Sequence, residues 1–435
     1  MPAYRLMPQD VVVLPLGSED LSGAESARGW PVPALVFDAI HAALHRSFGQ
    51  VDIWEHTHAT LGSGARDTGG KNQRFGSLAT AGPFPCEESD DQIRWFFPRP
   101  EDCHAAGEGI GRLRPLKPQP GCSNLPAPLV YALVGGPEDG QNPLPGWWSK
   151  LAIESYLRGE SPERQELGAG SQLYHLSPFW GGARGRASKA PKLELRLREG
   201  VALGIAATMP LQELNRSEGL EGLFAPDNVP LILGGQQRIC RVAAMPNQTL
   251  DQLLPLSQPV AEDRVQWLLL SPAIFPAIQG DPGQGIEAHP GGWLPNWVCP
   301  RTGRVLLKKG AAPRASESRE EWRRRVRGLP AWDCRLVAAR VKPPITVSGW
   351  SERRHLRAVQ PSVQPGPKPT RLAVPAGSVY YFEGPDASGL AGALAWHGST
   401  STTAPDAVVH RRSGILGEKG FGLGVCGPWK FSEDL

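Results

Sequence analysis

Gly417-Glu418-Lys419-Gly420-Phe421-Gly422-Leu423-Gly424-Val425-Cys426-Gly427 carries five glycines and one lysine in eleven residues. Within it, Gly422-x-Gly424-x-x-Gly427 matches the dinucleotide-binding fingerprint, which in context would make the chain a doubly wound α/β protein. That fingerprint requires a strand before it, a helix after it and an acidic residue about 20 positions on. Pro428 follows at once, and the eight residues to Leu435 leave no room for a βαβ unit. The Rossmann reading is therefore set aside. What remains is a glycine-rich loop entering a short apolar strand, Leu423 to Cys426. Glycine tolerates positive φ and admits close backbone approach. Successive exposed N–H groups in such a loop cradle an anion, a phosphate above all, and Lys419 adds a positive charge. The alternative is a tight turn with close packing.

Upstream, Tyr4 to Leu16 reads as a buried first strand and Ala34 to Phe48 as an amphipathic helix. Pro31 and Pro33 introduce that helix, and Val36, Ile40, Ala43 and Leu44 form its apolar stripe. Strand, loop, helix is the opening of a ferredoxin-like βαββαβ unit, among other folds. Residues 83 to 146 are proline-punctuated irregular β structure, with strands expected at Gln92–Phe97 and Leu129–Leu133. A helix is expected over Trp147–Arg158. A second unit is expected to begin with Lys192–Met209, where Leu193, Leu195 and Leu197 alternate with charged residues, and to continue through Leu231–Ala243. Strands at Trp267–Pro272, Leu336–Val341 and Ser378–Glu383 and a helical patch at Leu390–Leu394 complete it. Ser316–Arg327, rich in arginine but holding Glu317, Glu320 and Glu321, reads as a solvated helix with i, i+4 pairs.

Composition bounds the possibilities. A chain of 435 residues fits two or three domains, and 51 glycines with 44 prolines imply short elements and long ordered loops. A net charge of +3 does not announce a nucleic-acid binder, so any basic surface must be local. No secretory or membrane segment is visible, and a cytoplasmic protein is expected. Seven cysteines without a C-x-x-C pair argue against a disulfide framework or a zinc ribbon. Cys86, Cys103, His104 and Cys122 read as reduced thiols and a histidine rather than a shared metal site, and no metal or cofactor is expected.

Several cationic stretches suit an RNA backbone. Gly62 to Arg74 is glycine-rich and carries Arg66, Lys71 and Arg74, and Trp180 precedes Arg184, Arg186 and Lys189 on a glycine-rich backbone. Trp350 stands beside Arg353 and Arg354. His41 and His45 lie at i, i+4 with Asp38 the only carboxylate nearby, which reads as a pair of surface histidines.

Ten strings in order resemble one family. They are Asp10-Val11-Val12-Val13, Trp30-Pro31-Val32-Pro33, and Arg74-Phe75-Gly76-Ser77-Leu78 with Gly82-Pro83-Phe84. Gly234-Gly235-Gln236-Gln237-Arg238 follows, then Leu270-Ser271-Pro272-Ala273-Ile274-Phe275 with Gly292-Trp293-Leu294-Pro295. Ser348-Gly349-Trp350, Pro375-Ala376-Gly377-Ser378-Val379-Tyr380-Tyr381 and Gly417-Glu418-Lys419-Gly420-Phe421-Gly422 complete the set. Together they resemble the third subunit of the type III-B (Cmr) CRISPR effector complex, in the RAMP superfamily. One departure is Pro15-Leu16-Gly17-Ser18, which stands where the family often has an acidic-glycine turn.

The resemblance implies an α+β fold of two ferredoxin-like (RAMP/RRM-like) units with large irregular β-rich insertions, at residues 1–192 and 193–435. It implies a non-catalytic subunit that grips the 5′ handle of the guide RNA, joins the large polymerase-type subunit to the RAMP backbone subunits, and meets target RNA indirectly. It places the loop of Lys419, Gly420, Phe421 and Gly422 against the guide. Two rivals stand beside it. One is a RAMP endoribonuclease processing repeat RNA by metal-independent acid/base chemistry, for which His41, His45 and His410 are candidates. The other is a nucleotide-binding regulator using the glycine loop.

Overall fold

The structure is a computed structural model. It describes residues 1–15, 29–47, 78–89, 92–117, 125–136, 143–167, 173–179, 192–209, 220, 224, 230–234, 238–281, 283, 287–311, 319–348, 350–351, 366–367, 370–395 and 412–434. The fold is mixed α/β, rich in strands and poor in helices.

Eight strands define it: β1 (Pro2–Pro8), β2 (Ala79–Ser89), β3 (Val201–Thr208), β4 (Arg238–Thr249), β5 (Arg264–Leu269), β6 (Arg335–Arg340), β7 (Val379–Glu383) and β8 (Gly424–Pro428). The longer helices among the described residues are α1 (Pro33–Ser47), α2 (Lys150–Arg158), α3 (Arg319–Arg327) and α4 (Ala387–Leu394). In the first sheet the central order is β4-β1-β3-β2, extended by Leu231–Leu233 beyond β4 and by Gln92–Pro98 and Trp147–Ser149 beyond β2. In the second sheet the order is β6-β7-β5-β8. Counted within its own unit, each sheet has its fourth strand beside the first, the first beside the third and the third beside the second. All these pairs are antiparallel.

Local sequence explains the elements that face the core. The apolar stripe of α1 is buried as its spacing predicts, with Val36, Ile40, Ala43 and Leu44 at no more than 1% exposure, against Tyr4, Leu6, Leu203 and Ile205 of the first sheet. α2 starts at Ser149, whose hydroxyl accepts from the Ala152 N–H at 3.2 Å, and stops at Gly159, whose φ is 84°. Trp147 and Trp148, expected in that helix, instead pair with Pro98 and Phe97. Ser149 is the last residue of that strand, paired with Phe96, and caps the helix from there.

The other faces of the two sheets share one core. It joins Phe84, Trp95 and Phe97 from the first, Leu268, Tyr381 and Val425 from the second, and Ile153, Tyr156 and Leu157 of α2 between them. α4 covers the far side of the second sheet through Ala387, Leu390 and Leu394.

Two expectations are corrected. Tyr4–Leu16 is not one strand: Pro2–Pro8 belongs to the first sheet, whereas Val12–Pro15 pairs with Lys192–Leu197 in a separate three-stranded sheet. The division at 192/193 also fails. β3 and β4 lie beyond it and flank β1, so hydrogen bonding continues the first sheet to Thr249. The second sheet begins at Arg264. Among the described residues no helix is long and apolar enough to cross a membrane.

Candidate functional site

Strings scattered over the sequence converge on one small cleft where the two sheets meet. Its walls are Trp30-Pro31-Val32-Pro33, Gly82-Pro83-Phe84, Leu270-Ser271-Pro272 and Pro375-Ala376, joined by Trp147, Lys342 and Ile345. The Trp30 indole N–H donates to the Pro83 carbonyl at 2.9 Å and its ring meets Trp147 edge-on at 5.1 Å, which makes that wall rigid. Lys342, the one cation in the lining, is ion-paired with Glu101.

The glycine loop straps these walls together. Its Gly422 N–H donates to the Pro272 carbonyl at 2.8 Å, and the Leu423 N–H to the Ser271 hydroxyl at 2.9 Å. Leu270 and Ser271 return N–H groups to the Leu423 carbonyl at 2.9 and 3.2 Å. Gly420 has φ 100° and Gly422 φ 77°, where side chains strain the backbone. A Cβ on Gly422 would lie 2.1 Å from the Ser413 nitrogen. The other two fingerprint glycines also answer to packing: a Cβ would meet the Trp267 indole nitrogen at 2.2 Å from Gly424 and the Leu157 carbonyl at 2.4 Å from Gly427.

This arrangement corrects the phosphate-cradle expectation for the chain by itself. The N–H groups of Lys419, Gly420 and Phe421 donate to Leu416, Gly417 and Leu416 carbonyls at 3.0, 2.9 and 3.4 Å, and those of Gly422 and Leu423 are bound as above. No N–H from Lys419 to Leu423 is left to cradle an anion. Phe421 is fully buried with Ile274, Val347 and Ala373, so its ring offers no face to a base. Lys419 is 8% exposed, and its ammonium is 2.5 Å from Asp38 Oδ1 and 4.7 Å from the Phe37 ring centroid. Beside the loop, Arg412 is half-buried: its Nε donates to the Ala393 carbonyl at 2.6 Å, and burial brings its guanidinium down to about 10.

A second polar constellation sits inside the shared core. Asp102 is fully buried and accepts from Arg112 Nε at 3.0 Å, Tyr156 OH at 2.9 Å and Tyr381 OH at 2.6 Å. Arg112 also donates to Gln266 and lies 4.0 Å over the Tyr156 ring. Burial works against the Arg112 charge, but Tyr156 and Asp102 outweigh it and hold the guanidinium firmly ionised. Burial, then Asp102, pushes the Tyr381 hydroxyl well up. The cluster ties Asp102, Arg112 and α2 to β5 and β7, and its satisfied charges make it a brace rather than a reactive centre.

Of the remaining sequence candidates, Arg66, Lys71, Arg74, Arg184, Arg186, Lys189, Arg353, Arg354 and His410 lie outside the described residues. Trp350 pairs through its backbone with Pro367. His41 stacks on Phe37 with ring centroids 6.0 Å apart. Among the described residues no group of three or more His, Cys, Asp or Glu is placed to hold a metal. Sequence reasoning noticed Asp38 only as a neighbour of two histidines and missed Asp102 and Arg112. Nothing in their spacing marks partners so distant in the chain.

No curated protein sequence matches the chain. Among solved structures, a chain of the type III-B Cmr-beta complex bound to cognate target RNA and AMPPnP is similar at 10% identity and TM-score 0.37, over 87% of this chain and 86% of that one. A chain of a type III-A Csm3–Csm4 subcomplex is similar at 10% identity and TM-score 0.34, over 87% and 92%. A chain of a Csm1–Csm4 cassette in complex with cA3 is similar at 14% identity and TM-score 0.25, over 64% and 80%. A family model described as CRISPR-associated protein (Cas_Cmr3) matches residues 24–429, nearly the whole chain, and the chain belongs to that family.

Proposed function

We propose that this chain is a non-catalytic RNA-binding subunit of a type III-B CRISPR effector complex. It grips the 5′ handle of the guide RNA and bridges the large polymerase-type subunit to the RAMP backbone subunits. The observation that carries the reading is the convergence on one cleft of strings taken from four distant parts of a family member's sequence. Most of these residues are buried, and Val32, Pro272 and Ala376 are the half-buried positions at the opening of the seam where the four strings meet.

The repeated strand order in the two sheets supports a pair of ferredoxin-like units. In the second, α3 lies between β5 and β6 and α4 between β7 and β8, which completes the βαββαβ sequence. On this reading the glycine loop braces the 270–272 wall against which the handle lies. Lys419 sets the position of that wall, and the cationic segments around Arg66–Arg74 and Arg353–Arg354 supply phosphate contacts, with Arg184, Arg186 and Lys189 beyond them. Sequencing the RNA that co-purifies with the assembled complex tests the proposal. A single fixed 5′ tag is expected, and the purified chain should leave repeat RNA uncut. Ragged 5′ ends, or RNA recovered equally well without this subunit, would overturn it.

A further inference from the structure

Positive charge is concentrated in a lobe between β5 and β6 that ends in α3. The described residues 299–311 and 319–331 hold nine Lys and Arg against two Glu, in a chain whose net charge is +3. The remainder of the chain is therefore net acidic. Read as sequence, the mixed signs of α3 suggested a solvated helix that neutralises itself.

The folded lobe is less balanced than that. The Trp322 indole N–H donates to the Ala311 carbonyl at 2.6 Å, Arg325 to the Gly310 carbonyl at 3.0 Å, and the Lys309 N–H to the Pro330 carbonyl at 2.9 Å. These bonds hold one side of α3 against the 308–311 segment. Arg324 and Arg327, at i and i+3, are exposed. Arg304 is exposed and Lys308 half-buried on the neighbouring bridges to Arg335 and Ala331. Lys309 and Arg301 are offset by Asp386 at 2.5 Å and Glu287 at 2.9 Å. Among the described residues no carboxylate pairs with Arg304, Lys308, Arg324 or Arg327.

We propose that this lobe is a second RNA contact, which holds the phosphate backbone of single-stranded RNA without selecting bases. Unpaired exposed cations gathered on one lobe raise the local potential and favour a polyanion. A protein interface of this kind would also need an apolar centre. Trp322 is turned inward, and Leu306 is the one large exposed apolar side chain described there. The proposal rests on reading the chain as an RNA-binding subunit but uses no residue of the cleft or the glycine loop.

The test is the salt dependence of full-length chain binding to a uridine homopolymer. Each lost phosphate contact flattens the slope of log K against log salt by about 0.7 for a single strand. Arg324→Ala with Arg327→Ala should therefore flatten it by about 1.4 at unchanged thermal stability. Arg94→Ala with Arg158→Ala, two exposed arginines already paired to Glu87 and Glu160, should leave it unchanged. An unchanged slope in the first double variant, or equal binding to a glutamate homopolymer, overturns the proposal. Sequencing the guide that co-purifies with each variant separates the two readings. A fixed 5′ tag with an unchanged slope sinks the lobe alone, whereas a flattened slope without any tagged guide sinks the handle reading and leaves the lobe standing.

Discussion

Lys419 and Asp38 are 381 positions apart and joined by an ion pair of 2.5 Å, with the lysine side chain 10% exposed and the aspartate 45%. The pair ties the glycine loop at the end of the second sheet to α1 on the first. Because the ammonium sits on the Phe37 ring, the contact positions the loop laterally as well as electrostatically.

Removing either partner should therefore act through geometry. Asp38→Ala leaves a nearly buried ammonium without this carboxylate, and a loss of about 1–3 kcal/mol in urea unfolding is expected. Lys419→Met keeps the stem over Phe37 and should cost less. Both should weaken guide binding with an unchanged salt slope, because the Lys419 charge is already offset by Asp38.

Gly422→Ala places a Cβ 2.1 Å from the Ser413 nitrogen at a φ of 77°. The backbone must shift, and with it the 2.8 Å bond to Pro272 on the cleft wall. A drop of about 2 kcal/mol or more in unfolding free energy is expected. Gly392→Ala, in α4 with open space at its Cβ, is the control and should be neutral or slightly stabilising.

Asp102→Asn should be the most damaging single change in the shared core. It keeps the shape but strips the charge that faces buried Arg112, a class of lesion that costs about 3–5 kcal/mol. Tyr381→Phe removes one 2.6 Å bond from the same carboxylate and should cost about 1–3 kcal/mol. Chemical denaturation checks both.

Alkaline pH should destabilise the protein over a defined window. Burial pushes the Cys86 and Cys240 thiols from 9.0 up to about 12, and Cys334 likewise. The unfolded chain then releases protons that the folded chain retains, so stability is full below pH 9 and falls as pH rises towards 12. Each such thiol contributes up to about 1.4 kcal/mol per pH unit in that window. Urea midpoints in reducing buffer should fall from pH 9 upwards, and Cys86→Ala should flatten the decline.

How much of this was legible follows from what each feature depends on. The stripe on α1 and the alternation of Leu193, Leu195 and Leu197 are local, and their residues are buried or half-buried as expected. The break between Pro8 and Val12 is not local, because two strands of similar composition join different sheets through partners near residues 192–206 and 240–249. The same long-range pairing hid the true end of the first sheet. The glycine run was legible as a place of close approach, but what approaches is the chain itself, at Ser413, Trp267 and Leu157. Phe421 looked available for stacking because a loop position gives no sign of the apolar cluster that receives it. The cleft was legible only through the family strings, whose spacing in sequence says nothing of their meeting.

The most direct test of the handle-gripping reading is photo-crosslinking from a guide RNA that carries a single 4-thiouridine in its 5′ handle, within the assembled complex. Crosslinked peptides of this subunit are expected from the cleft walls, residues 30–33, 82–84, 270–272 or 375–376. Crosslinks to this subunit that map only to the opposite face, on α4, or none to this subunit at all, would contradict it.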